Sequence, residues 1–129
     1  MVAMVAEYLN YIHDHLDGDN NGIVIVFTAS WCNPCKKVKA WLEDNNSLFE
    51  AKNIRHLSID IDTNTDNEGN TAPFFSFLKK KRITRGVPSV LFYSVFEGKI
   101  VHRPSIHPDF FAETEKTHLT ALTNIIKNI

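Results

Sequence analysis

Ile23-Val24-Ile25-Val26-Phe27-Thr28-Ala29-Ser30-Trp31-Cys32-Asn33-Pro34-Cys35-Lys36-Lys37 (residues 23–37) decides how this chain is read. The first five residues form a continuous, mostly β-branched run that follows the turn formers Asp17-Gly18-Asp19-Asn20-Asn21-Gly22. A short apolar run between turn signals fits a strand covered on both faces, as in a parallel sheet. The run passes into both cysteines of the chain, and then into a segment where Val38, Trp41 and Leu42 share one side of a helix. Asp44-Asn45-Asn46 is expected to stop that helix.

A strand leading through Trp-Cys-x-Pro-Cys into a helix has a chemical logic. Cys32 falls at the helix start, where unpaired amides and the helix dipole favour negative charge. The thiolate is the reactive form, so this placement makes Cys32 a nucleophile near neutral pH. Cys35, one turn further in, is expected to be the more buried thiol and to resolve the mixed disulfide that Cys32 forms with a target. Pro34 suits the first turn, where no amide hydrogen is needed. Two other readings of the pair compete, a metal site and inert packing. Structural zinc needs four ligands. There is no second cysteine pair, and His13, His15, His56, His102, His107 and His118 lack finger-like spacing.

Working outward, Val2, Val5, Leu9, Ile12 and Leu16 recur at spacings of three and four, which predicts a helix with one apolar stripe. Ile54–Ile61 reads as a second strand, residues 62–72 as a polar loop, and Pro73 as the first turn of a short helix holding Phe74, Phe75, Phe77 and Leu78. The basic run Lys79-Lys80-Lys81-Arg82 follows. A third strand, Ser89–Phe96, turns through Glu97-Gly98 into Lys99-Ile100-Val101-His102 as a hairpin. The tail from about Asp109 reads as a helix buried through Phe111, Leu119, Leu122, Ile125, Ile126 and Ile129. Strand–helix–strand–helix–hairpin–helix, with a helix in front, predicts an α/β fold: a mixed sheet with helices on both faces, its first strand pair joined by a right-handed parallel crossover.

At 129 residues the whole chain fits one domain, and 43% hydrophobic with 22% charged residues is the composition of a soluble globular protein. A formal charge of −1 gives no electrostatic footprint for nucleic acid or a membrane surface. No apolar run approaches the roughly 18 residues of a bilayer span. The first residues lack a basic region, and Glu7 interrupts their apolar stretch, so no secretory signal is expected. Two cysteines are too few for a disulfide scaffold. In a reducing cytoplasm, the expected location, such a pair is catalytic or metal-binding rather than structural.

The segment TASWCNPCKK, the hydrophobic strand before it and the later Gly86-Val87-Pro88 together resemble the thioredoxin family, whose usual active site reads WCGPCK. The resemblance implies the thioredoxin fold, with Pro88 in cis facing the cysteines. It implies that Val87 offers backbone hydrogen bonds to an extended substrate and that Trp31, Asn33 and Pro34 shape the substrate surface. The implied activity is thiol–disulfide exchange as a protein-disulfide reductase, since a proline at position 34 accompanies reducing members. Partners would be disulfide-containing proteins and a thioredoxin reductase or other dithiol donor. No bound cofactor and no metal are expected.

The chain also departs from the family. Val26 stands where thioredoxins commonly bury an aspartate that helps move the resolving thiol's proton. His56 stands where they usually carry a lysine, and its imidazole is a candidate proton acceptor for Cys35. Asn33 replaces a glycine. The segment between Asp60 and Pro88 is longer than usual, and Arg103-Pro104-Ser105-Ile106 occupies the place of a glycine near the active site. The missing acid and the long segment motivate an alternative: a thioredoxin-fold binding module that docks to one specific partner.

Overall fold

In a computed structural model of the chain, residues 2–16, 18–102 and 115–128 are described. Ten elements follow one another: α1 (Val2–Asp14), β1 (Gly22–Thr28), α2 (Asn33–Asp44), α3 (Asn46–Ala51), β2 (Ile54–Asp60), β3 (Thr65–Asp66), α4 (Phe75–Lys80), β4 (Ser89–Phe96), β5 (Lys99–His102) and α5 (Glu115–Lys127). The strands form one mixed sheet in the order β3-β2-β1-β4-β5. β1 runs parallel to β2 and antiparallel to β4, so the strand carrying the chain toward the cysteines lies at the centre.

Alternation along β1 divides the core. Ile23, Ile25 and Phe27 enter one apolar layer with Tyr8, Ile12 and Tyr11 of α1 and Leu78 of α4. Val24 and Val26 enter the other, with Val38, Trp41 and Leu42 of α2, Phe49 of α3 and Leu122 and Ile126 of α5. Phe27, Ile23 and Ile25 are fully buried, and each such side chain is worth about 1.5–3 kcal/mol relative to exposure. Gly22 opens the strand because a side chain there would meet the Tyr93 carbonyl oxygen at 2.7 Å. At the far end of β4, Glu97 and Gly98 both take positive φ, as a two-residue hairpin turn demands.

The expected elements are in place, with four differences. Leu9, read as part of the buried stripe of α1, is 44% exposed, while Ile12 of the same stripe is fully buried and is joined on the buried face by Tyr8 and Tyr11. The aromatic rings reach the sheet across a helix face that the aliphatic residues alone do not define. A short helix, α3, follows Asn45 where the chain was expected to leave helical structure. It is held by Phe49, which packs edge-on against Trp41 at 5.5 Å. Pro73 and Phe74 precede α4 rather than lying within it, Phe74 being its N-cap. The fourth difference is a two-residue strand, β3, inside the polar 62–72 segment, paired antiparallel to the end of β2. Phe111, Arg103–Ile106, His107 and the start of the expected tail helix lie outside the described residues.

Asp66 organises that polar segment. Its Oδ1 accepts the backbone N–H groups of Glu68 (2.8 Å) and Asn70 (2.9 Å), and its Oδ2 accepts the Tyr11 hydroxyl from α1 (2.8 Å). His15 Nε2 lies 3.6 Å from the same Oδ2. Burial acts to raise the Asp66 carboxyl, but hydrogen bonds from Asn70, Tyr11 and Glu68 outweigh it and hold the carboxyl below its ordinary value. A depressed carboxyl stabilises the fold above its unfolded pKa of about 4, and that stability is lost as pH falls through the folded value. Tyr11→Phe leaves the buried carboxylate without one of its donors and costs about 1–3 kcal/mol. Asp66→Asn flattens the acid limb of stability. Urea denaturation at a series of pH values from neutral down to about 3 checks both expectations.

Candidate active site

The cysteines stand where β1 delivers the chain to α2. Cys32 is the N-cap of α2, with extended backbone angles (φ −92°, ψ 110°), and Pro34 occupies the helix's first turn. The Cys35 N–H donates to Cys32 Sγ at 3.2 Å, so the sulfur occupies the acceptor position that a capping oxygen usually fills. Cys32 and Cys35 are joined as a disulfide, with Cα atoms 5.3 Å apart. Both cysteines are 5% exposed, which corrects the expectation that Cys35 is the more buried residue. The closed bridge and the packing of Ala29, Ile61 and Val87 around it shield the two sulfurs alike.

The Val87–Pro88 bond is cis, and the loop presents Val87 against the cysteine pair while Pro88 is buried. The Ser89 hydroxyl donates to the Gly86 carbonyl and ties down the base of this loop. Asn33 and Pro34 are exposed beside the bridge. Trp31 is 66% exposed, yet its indole N–H donates to Asp62 Oδ2 at 3.1 Å. Asp62 is itself placed by the turn after β2, where Asp60 Oδ1 accepts the backbone N–H groups of Asp62 (2.8 Å) and Thr63 (3.3 Å). The sequence reading passed over Asp60 and Asp62. The signal was present in IDID, where two carboxylates end a strand parallel to the one that delivers the cysteines.

A cleft of about 500 Å³ lies against the bridge, lined by Cys32, Cys35, Val26, Lys39, Ser58 and Asp60 among others. Val26 is buried there and brings no titratable group. His56 does not line this cleft. It faces a neighbouring one with Lys39, Leu42, Glu43, Asn46 and Ser58, its ring 5.5 Å from that of Phe49 and its Nε2 3.4 Å from Asn46 Oδ1. Burial, with the nearby Arg55 charge, lowers the His56 pKa below the ordinary imidazole value. The structure therefore gathers Trp31, Cys32, Asn33, Pro34, Cys35, Val87 and Pro88 at one end of the central strands β1 and β4, while His56 lines the neighbouring cleft. Lys79, Lys80, Lys81 and Arg82 are all exposed on and after α4. Among the described residues, no group of three or more His, Cys, Asp or Glu side chains is arranged to hold a metal ion.

Asp62→Ala removes the acceptor of the Trp31 indole. Its N–H should then exchange with solvent faster by NMR, while global stability changes by no more than about 1 kcal/mol because the pair is exposed.

The family model described as Thioredoxin-like matches residues 16–94. The thioredoxin of Buchnera aphidicola subsp. Baizongia pistaciae is 37% identical over 71 residues, covering 55% of this chain and 54% of that protein. Human thioredoxin is 33% identical over 70 residues, covering 50% of this chain and 65% of that protein. The chain thus spans between about half and two thirds of the length of these two relatives. Among solved structures, Trichomonas vaginalis thioredoxin aligns with a TM-score of 0.58 at 18% identity, over 96% of this chain and 91% of that one. Thioredoxin O2 from Arabidopsis thaliana in its oxidized state aligns with a TM-score of 0.59 at 20% identity, over 93% and 86%. The structural likeness establishes the fold, and the family match spans the strand, the cysteine pair and the cis-proline loop: the chain belongs to the thioredoxin-like family.

Proposed function

We propose that this protein is a thiol–disulfide oxidoreductase that reduces protein disulfides. The observation that carries the reading is the bridged Cys32–Cys35 pair at the start of α2, set against Val87 of the cis-proline loop. In the reduced protein, the Cys32 thiolate attacks a target disulfide and forms a mixed disulfide. The Cys35 thiolate then attacks Cys32 Sγ, the bond from Cys32 to the target breaks, and the target leaves as a thiolate that takes up a proton. Two electrons pass to the target, and the pair ends as the bridge seen here. The exposed Trp31, Asn33 and Pro34 and the backbone of Val87 form the surface against which an extended target segment lies.

A thioredoxin reductase or another dithiol of lower potential would return the pair to its reduced state. The cytoplasm is the compartment in which a protein whose two cysteines are both in this motif would work, as a carrier of electrons in thiol homeostasis. Reduction is favoured over oxidation by Pro34 and by the names of the two relatives described above, both thioredoxins. The docking-module alternative gains nothing from the geometry, in which the sulfurs sit at the site and not beside it.

A protein-disulfide reduction assay with dithiothreitol as donor tests this. The wild type should turn over, Cys32→Ser should fall to background, and Cys35→Ser should accumulate mixed disulfides visible on non-reducing gels. A wild type without turnover, or one partner retained equally well by Cys32→Ser, would contradict the reading.

A further inference from the structure

A thiol packed as closely as Cys35 must shed its proton before it can attack, and a base has to be within direct or water-bridged reach. The cleft beside the bridge limits the choice. Its titratable lining consists of Lys36 and Lys39 from α2, Asp60 from β2 and Asp66 from β3. The lysines carry ammonium groups, which donate rather than accept. Asp66 already accepts Glu68 N, Asn70 N and the Tyr11 hydroxyl, and its carboxyl is held below the ordinary range, which makes it a weak base. His56 faces the neighbouring cleft.

We propose that Asp60 is the proton acceptor for Cys35, through water held in this cleft. Asp60 pairs with Thr28 across the parallel β1–β2 register, two residues beyond the Val26–Ser58 pair. Val26, Ser58, Asp60 and Cys35 all line the cleft. Asp60 therefore stands roughly 7 Å beyond Ser58 along β2, at the end of the sheet where β1 delivers the cysteines, and the cleft that both it and Cys35 line is roomy enough for bridging water. The carboxylate is fixed, because its Oδ1 accepts the Asp62 and Thr63 amides. Lys39 lies four residues after Cys35, one turn along the same helix, where its charge favours the thiolate as it forms.

In the resolving step the Cys35 proton passes through water to the Asp60 carboxylate. The Cys35 thiolate bonds to Cys32 Sγ as the bond from Cys32 to the target sulfur breaks. The departing thiolate recovers a proton from Asp60 or from solvent. The proposal rests on the dithiol reading above, and the test separates the two.

Reduced protein is mixed with an aromatic disulfide, dithiobis(nitrobenzoate), and release of the coloured thiolate is followed by stopped flow between pH 6 and 8. The first equivalent reports attack by Cys32 and the second reports attack by Cys35. Asp60→Asn keeps an oxygen for the Asp62 and Thr63 amides while removing the base. It should slow the second phase about tenfold or more near pH 7, leave the first phase unchanged, and make the second rise steadily with pH. Asp60→Glu should recover much of the rate, and His56→Ala should match wild type. Circular dichroism matching the wild type shows that the variants are folded. A second phase in Asp60→Asn that is unchanged overturns the proposal, and so does a faster one, since loss of a merely repelling charge would help the thiolate form. A wild type that never releases a second equivalent overturns the dithiol reading and this proposal with it.

Discussion

The contact on which the site depends is the one between the Cys35 amide and the Cys32 sulfur at the first turn of α2. A helix start leaves its first amides without intrahelical partners. Here a sulfur takes one of them, with Pro34 in the same turn removing another donor that would need satisfying. The same amides and the helix dipole would stabilise a thiolate at position 32 once the bridge is opened. On the proposed function, helix capping and nucleophile activation are one arrangement of atoms in two redox states.

That arrangement would be useless without a rigid support, and β1 provides it. The strand is covered on both faces, with Ile23, Ile25 and Phe27 directed to one layer and Val24 and Val26 to the other. Its parallel neighbour β2 ends alongside, at Asp60, whose carboxylate shapes the next turn. That turn supplies Asp62 to Trp31, while β4 on the other side brings in Val87 and Pro88. Each functional residue is thus one strand end or one turn away from the central strand. The polar segment after β2 is closed by buried Asp66 and tied to α1 through Tyr11, so its length adds a folded cover at this edge of the sheet.

Much of this was legible in the residues. A β-branched run flanked by turn formers fits a central strand, and Trp-Cys-x-Pro-Cys after it marks a helix start with chemistry attached. Ser89–Phe96 and Lys99–His102 were readable because a turn of Glu-Gly separates two β-rich runs. What escaped the sequence depended on tertiary partners. Tyr8 and Tyr11 replace Leu9 on the buried face of α1 because the N-cap of α4 offers them Phe74 at 5.2 Å in each case. β3 is two residues long, too short for any periodicity, and exists through its pairing with β2. The position of His56 was readable, but not the direction of its ring toward Phe49 and Asn46. Nor could the sequence show that Asp60, four residues further along β2, shares the cleft with Cys35.

If the dithiol reading holds, the start of α2 separates the two thiols by reactivity and not by burial, with Cys32 at the N-cap as the nucleophile and Cys35 one turn further along as its resolving partner. Alkylation of the reduced protein by iodoacetamide across a pH series, with each modified cysteine located by mass spectrometry, measures this difference. Cys32 should be alkylated with a midpoint well below the ordinary thiol value of about 8.5, while Cys35 reacts slowly until the pH is higher. Two cysteines reacting alike, each with an ordinary midpoint, would contradict it.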